Sequence, residues 1–305
     1  MDEAAAYTVQ HVTDRYGRVT QVLERLFAAG HLPLRLRQMS VLEIGAGPAP
    51  GLYAARDFYA DVGLWAETTD HQVPFRPVTR THGLDRGEAW GHFLHSLSER
   101  LITLRSEIPT SPGALPFRTE YSNLDDFSVA REHVRALDHA AELISMEFER
   151  VGEPITDGTA RRFAEEDGVA RPSAYDLVIA SNFLTAEDSV GRFERELRRL
   201  ASSLTPGGLL IVMGAASGNK YSRIWAALRT LMRGTGLTEI KGFEEPITAN
   251  SNPEWAKAIR RQRQEILDEL RDIDALPTEV TGLRETDGFP PFRALIWKNQ
   301  RAVGR

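Results

Sequence analysis

The chain of 305 residues contains no cysteine. Disulfides, thiolate zinc sites, cysteine-ligated iron–sulfur clusters and a cysteine nucleophile are therefore all excluded. It also lacks any apolar run approaching the roughly 18 residues that a membrane span requires. The opening Met1-Asp2-Glu3-Ala4 has no basic segment leading into an apolar one, so no secretory leader is expected. These absences point to a cytoplasmic protein with no membrane partner. Basic excess is missing too: 37 Lys and Arg stand against 43 Asp and Glu, for a net charge of −6. A broad nucleic-acid surface needs clustered cations to neutralise phosphates, so such a partner is disfavoured. What is present, 42% hydrophobic and 26% charged residues, is ordinary for a folded soluble chain. The length suits one large domain with additions.

Apolar periodicity divides the chain into alternating elements. Val9, Val12, Val19, Val22, Leu23 and Leu26 recur at spacings of three and four, which predicts one or two helices over 5–38, stopped at Gly30. Short apolar strands are expected at 40–44, 78–84, 117–121, 175–180 and 209–214, and two more at 278–285 and 293–298. Helical patterns follow Leu52 and recur over 89–105, 127–150, 189–203, 220–233 and 253–272. The last opens with Asn252 as cap, Pro253 at the first helical position and Glu254 near the positive end of the helix dipole. Such alternation implies a mostly parallel sheet with helices on both faces. The link 286–292 is too short for a crossover helix, so the last two strands should be antiparallel.

The densest chemistry follows the first strand, in Glu43-Ile44-Gly45-Ala46-Gly47-Pro48-Ala49-Pro50-Gly51. Glycines let a ligand approach the backbone closely, and the carboxyl end of a strand is where open α/β sheets bind ligands. A dinucleotide-binding turn would carry a third glycine where this chain has Pro50. Pro48 and Pro50 offer no N–H, which leaves few donors for a phosphate. An acid at Glu43 would repel a pyrophosphate but suits an ammonium group. A carboxylate that caps nearby backbone N–H groups is the other reading of Glu43, and the two can coexist.

This segment, Val41-Leu42-Glu43-Ile44-Gly45-Ala46-Gly47, resembles the first motif of the class I S-adenosylmethionine-dependent methyltransferases. Two later runs are similar to that family in the same order: Tyr175-Asp176-Leu177-Val178, and Leu204-Thr205-Pro206-Gly207-Gly208-Leu209, where the double glycine is read as the reversal from helix into strand five. The resemblance covers roughly 40–300. It implies a doubly wound, Rossmann-like, mostly parallel seven-stranded sheet with an antiparallel last strand, S-adenosylmethionine as cofactor and no metal. It implies an N-terminal helical cap at 1–40 and a methyltransferase domain at 41–305, with helical insertions near 52–75, 127–170 and 220–275.

Site residues carried over from the family are these. Glu43, Gly45, Ala46 and Gly47 face the methionine part of the cofactor. The acid that receives the ribose hydroxyls is placed at Asp85, followed by Arg86, rather than at Glu67 or Asp70, which fall in a helix and a polar turn. Asp85 as a cap of the next helix is the competing reading. Asn123, Leu124 and Asp125 follow strand three, where the family contacts adenine. Ser181, Asn182 and Phe183 follow strand four, beside the transferring methyl; the family's Asp/Asn-Pro-Pro-Tyr/Phe run is absent, which counts against base amines and glutamine amides as acceptors. His92 and His95, one helical turn apart, are the candidates for a general base, with helix packing the blander reading, so the base stays unassigned. His82 is read as strand packing. The stripes Tyr221, Ile224, Trp225, Leu228, Leu231 and Trp255, Ile259, Ile266, Leu270 are read as core or as walls of an acceptor site. Arg260, Arg261 and Arg263 with Glu265, Asp268 and Glu269 read as a solvated helix face, a lid or a homodimer surface. The expected acceptor is a small molecule, with ribosome-associated RNA and non-catalytic cofactor binding as the rival readings.

Overall fold

The computed structural model describes residues 2–34, 39–69, 79–85, 88–107, 121–122, most of 141–149, 152–164, 175–243, 245–248, 253–275 and 291–300. In chain order these form α1 (Asp2–Ala28), β1 (Met39–Ile44), α2 (Pro50–Thr68), β2 (Thr79–Leu84), α3 (Glu88–Glu107), β3 (Tyr121–Ser122) and α4 (Asp157–Ala164). There follow β4 (Tyr175–Ser181), α5 (Ser189–Arg192), α6 (Glu194–Ser202), β5 (Leu204–Ala215), α7 (Asn219–Arg233), β6 (Leu237–Glu239), α8 (Pro253–Asp272) and β7 (Phe292–Asn299).

One sheet runs in the order β3-β2-β1-β4-β5-β7-β6. The pairs from β3 to β5 are parallel, and β7 runs antiparallel to both β5 and β6. The carboxyl ends of β1, β2 and β4 therefore point to one edge, and the reversed β7 brings its first residue, Phe292, to the same edge opposite Ala215.

Alternation along the strands divides the core in two. Val41, Leu177, Ile179, Ile211, Ala294 and Ile296 face α1, α2 and Ala256 of α8. Leu42, Val178, Leu210, Val212 and Leu295 face α6 and α7. Period-two alternation is what a sheet covered on both faces requires. Val19, Val22, Leu23 and Leu26 of α1 lie in the first cluster, all at most 1% exposed. Gly17 lets α8 approach: an added Cβ there would meet the Trp255 ring.

Several expectations are corrected here. The 5–38 pattern holds one helix, Asp2–Ala28, with Gly30 just past its end, and 35–38 lie outside the described residues; the helix after the glycine turn starts earlier than expected, at Pro50. The 189–203 pattern breaks into α5 and α6 at Phe193. α6 ends at Ser202 and the strand follows at once, so the Leu204–Gly208 run lies at the expected helix-to-strand passage but already belongs to β5, as its irregular start. Tyr175 pairs with Leu204 and Leu177 with Leu209, so three extra β5 residues bulge out. Gly207 is at φ 78, and a Cβ on Gly208 would lie 2.9 Å from the Thr205 carbonyl. β6 lies inside the expected helical insertion near 220–275, between its two helical patterns; three residues give periodicity too little to work with. The expected strand at 278–285 lies outside the described residues. Ile224, Trp225, Leu228 and Leu231 are core, not an acceptor wall. On α8 the buried positions are Ala256, Ile259 and Leu267, while Ile266 is exposed.

Candidate functional site

The glycine turn sits at the tip of β1, between the parallel neighbours β2 and β4. Gly45, Gly47 and Ala49 all take left-handed backbone conformations, at φ 62, 51 and 58. Glycine adopts that region freely, whereas for alanine it is a strained position. The reward is a turn folded back on its own strand, so that its donors are consumed internally. Gly45 and Ala46 donate to the Leu84 carbonyl at 2.8 and 3.2 Å, and Ala49 to the Ala46 carbonyl at 2.8 Å. Gly47 donates to Oδ2 of Asp85 at 2.9 Å. Pro48 and Pro50 have no N–H. Gly51 and Leu52, the first free donors of α2, give theirs to the Glu43 carboxylate at 3.1–3.2 Å.

Glu43 is thus a cap as well as a motif acid. Its side chain points to the α2 face of β1 and is 1% exposed. Burial pushes its pKa up to about 8 against the opposing pull of the Gly51 and Leu52 N–H groups and of Arg15, while Asp85 adds to the rise. A carboxylate at a helix N-terminus satisfies orphan donors and neutralises the positive end of the dipole. It also uses up the place where an anionic ligand would bind.

Asp85 follows β2, one step beyond the pair Ile44–Leu84, which sets it beside the turn. α3 begins three residues later, at Glu88, and the Asp85 carboxylate reaches the turn. At the tip of β4, Ser181 is buried and its Oγ has no hydrogen-bond partner. Asn182 is left-handed at φ 53, with its N–H on the Met213 carbonyl at 2.9 Å. Phe183 stands over the turn, 3.0 Å from where a Cβ on Gly45 would be. Trp90 and Tyr7 flank Gly47 at 3.8 Å in the same sense, and their rings meet edge to face with centroids 5.5 Å apart. The turn is bare backbone walled by three aromatic rings, with a carboxylate on one side and a leftover hydroxyl on the other. Those residues fit a nucleoside with a sulfonium better than a pyrophosphate.

Of the residues expected from sequence, Glu43, Gly45, Ala46, Gly47, Asp85, Ser181, Asn182 and Phe183 converge at this edge. Arg86, Asn123, Leu124 and Asp125 lie outside the described residues. His92 and His95 lie on α3, and their side chains are outside the described set. His82 is buried and its Nδ1 meets the Tyr175 hydroxyl. Among the described residues no cluster of three or more His, Asp or Glu could hold a metal ion, and no helix is long and apolar enough to cross a membrane. A shallow groove lined by Gly191, Arg192, Glu194, Arg195, Glu196 and Arg198 includes no residue of the turn.

Sequence reasoning missed the contribution of α1 to this edge. Tyr7, His11 and Arg15 recur every four residues, off the apolar stripe. The Arg15 guanidinium lies 4.8 Å from the Tyr7 ring centre, and the His11 ring 4.7 Å from it on centroids. Burial and the charges of Arg15, Arg263 and Arg18 pull His11 down to about 4. The signal was available in the spacing, but spacing alone does not say that a helix reaches past its sheet.

No family model and no curated protein matches the chain. Among solved structures it is similar to an S-adenosylmethionine-dependent methyltransferase from Methanosarcina mazei, at 10% identity over 89% of this chain and 96% of that one, with a TM-score of 0.41. It is also similar to the N-methyltransferase NodS from Bradyrhizobium japonicum, at 13% identity over 93% and 95% with a TM-score of 0.36. A third is phosphoethanolamine N-methyltransferase 2 from Haemonchus contortus, at 12% identity over 92% of this chain and 52% of that one, with a TM-score of 0.38. The architecture itself, a parallel sheet whose first strand ends in an acid and a glycine turn and whose last strand runs backwards beside β5, is a Rossmann-like α/β fold.

Proposed function

We propose that this chain is an S-adenosylmethionine-dependent methyltransferase acting on a small-molecule acceptor. The observation that carries the reading is the donor inventory of the glycine turn: every N–H from Gly45 to Leu52 is already engaged within the chain. A pyrophosphate needs several free backbone donors at such a turn. A nucleoside joined through a sulfonium to an amino acid does not. When bound, this cofactor would supply an activated methyl group. The chain's own part is then chiefly to align and to exclude water, and orientation alone can be worth about 7–11 kcal/mol. Asp85, already beside the turn, is suited to receive the two ribose hydroxyls. Tyr7, Trp90 and Phe183 are suited to enclose the reacting end. Asn123, Leu124 and Asp125 remain the proposed adenine contacts, and Arg86 a neighbour of the ribose.

A small acceptor is supported over RNA by the charges of α8. Arg261 is 3.6 Å from Glu265, and Arg263 acts on His11 of α1, so the three arginines do not form one outward track. Calorimetry tests the proposal. S-adenosylhomocysteine should bind and nicotinamide dinucleotides should not. Asp85→Ala should weaken S-adenosylhomocysteine by roughly 10- to 150-fold, the value of a charge-assisted pair of hydrogen bonds. Asp85→Asn, which keeps an acceptor for the Gly47 N–H, separates loss of the ribose contact from collapse of the turn. If the dinucleotide binds and S-adenosylhomocysteine does not, the proposal is wrong.

A further inference from the structure

α1 does two jobs along its length. From Val19 to Leu26 it packs on the sheet, and Arg18 stands over the ring of Phe292 at 5.4 Å, level with the carboxyl edge. The earlier turns of α1 run on toward the glycine turn, and their contacts show where they go. Tyr7 reaches Trp90 at the start of α3, and its ring lies 3.8 Å from where a Cβ on Gly47 would be. Arg15 lies over Tyr7. A half-buried guanidinium is thereby held against the ring that flanks the glycine turn.

We propose that Arg15 is the anchor for a carboxylate: the amino-acid end of the ligand that occupies the glycine turn. The inference rests on the cofactor reading given above. Three observations lead to it. The turn has no spare N–H, so a carboxylate arriving there must be met by a side chain. Arg15 has no carboxylate within ion-pair distance among the described residues, because the nearest acid on its own helix, Asp14, is taken by Arg18 at 2.7 Å. The groups at the tip of β1 are set out as a zwitterion requires, with the Asp85 carboxylate beside the turn, the buried Glu43 behind it and one cation on the ring that flanks it. Both Glu43 and Tyr7 feel that cation. His11, kept neutral by its surroundings, adds no second positive charge. A guanidinium presents a planar fork that matches a carboxylate with two parallel hydrogen bonds.

The test compares two nucleosides on the full chain by calorimetry: S-adenosylhomocysteine, and 5′-deoxy-5′-methylthioadenosine, which lacks the amino-acid end. Arg15→Gln should weaken S-adenosylhomocysteine by roughly 10- to 150-fold and leave methylthioadenosine unchanged. Arg15→Lys, a point charge without the fork, should recover part of the loss. An equal loss for both nucleosides would make Arg15 a structural support only, and no loss for either would remove it from the site. If the unaltered chain binds neither nucleoside, the cofactor reading itself falls. If it binds both and Arg15→Gln changes nothing, only the Arg15 inference falls.

Discussion

The tips of β1 and β4 are neighbours in the sheet, yet they are finished differently. At β1 the turn is closed on itself: each donor has its acceptor, the acid is capped from within and three residues take left-handed backbone to achieve it. At β4 the chain stops short. A hydroxyl is buried without a partner, and an asparagine, not a glycine, is held at positive φ. Buried polar groups are nearly always satisfied in folded proteins, and strain persists only where the surroundings impose it. The first tip is built as a platform; the second is left with unused capacity, as a place that completes itself on a ligand would be.

The largest test of that contrast is Gly51→Ala. The added methyl would lie 2.8 Å from Oε1 of Glu43. Displacing that buried carboxyl group leaves two helix donors unpaired, so urea unfolding should show a loss of about 2–4 kcal/mol. A loss below 1 kcal/mol would mean that the cap is dispensable.

Next comes the pH dependence of Glu43. Its folded pKa, about 8, lies above the ordinary value of 4.5, so the folded chain binds more protons between those limits and stability falls as pH rises through them. His11 has the opposite sign below its ordinary 6.5, because its folded pKa is depressed, and offsets the effect there. Between pH 6.5 and 8 Glu43 is, among the described residues, the group whose shifted pKa matters, and stability should fall by about 2 kcal/mol. Glu43→Gln should flatten that decline in unfolding curves measured across the interval. An unchanged slope would sink the assignment.

Smaller effects are expected at β4. Ser181→Ala removes a hydroxyl with no partner and should leave stability unchanged or raise it by about 1 kcal/mol. Destabilisation would show that the hydroxyl is engaged and that the two tips are alike. Asn182→Ala should lose about 1 kcal/mol, whereas Asn182→Gly should not, since left-handed backbone is open to glycine and only strained for alanine.

The sequence made the platform legible because its requirements are local. An apolar strand end, an acid, three glycines and two prolines are needed close together, and they stand in one run from Val41 to Gly51. β5 was legible in place but not in form: Pro206, Gly207 and Gly208 announce an irregularity, yet whether it ends a helix or bulges a strand is decided by Asp176, whose carboxylate takes the Thr205 hydroxyl and the Ser40 N–H. That partner lies outside any local window. The same holds for Tyr7 and Arg15. Their spacing marks a helical face, but what the face meets depends on how far α1 extends past Phe292, a fact of packing and not of pattern.

The position of β7 carries a consequence for how the molecule is made. This strand emerges after the other described strands, but it is inserted between two of them, hydrogen-bonded to β5 on one side and β6 on the other, and it contributes to the core on both faces. During synthesis β5 must wait with a bare edge while some eighty residues pass the ribosome (Ala215 to Asn299). A long apolar edge left open is an invitation to pair with another chain. Chaperone dependence and inclusion-body formation should therefore track how quickly Phe292–Asn299 is delivered, and a nick just ahead of it should harm yield far more than one at an exposed helix end.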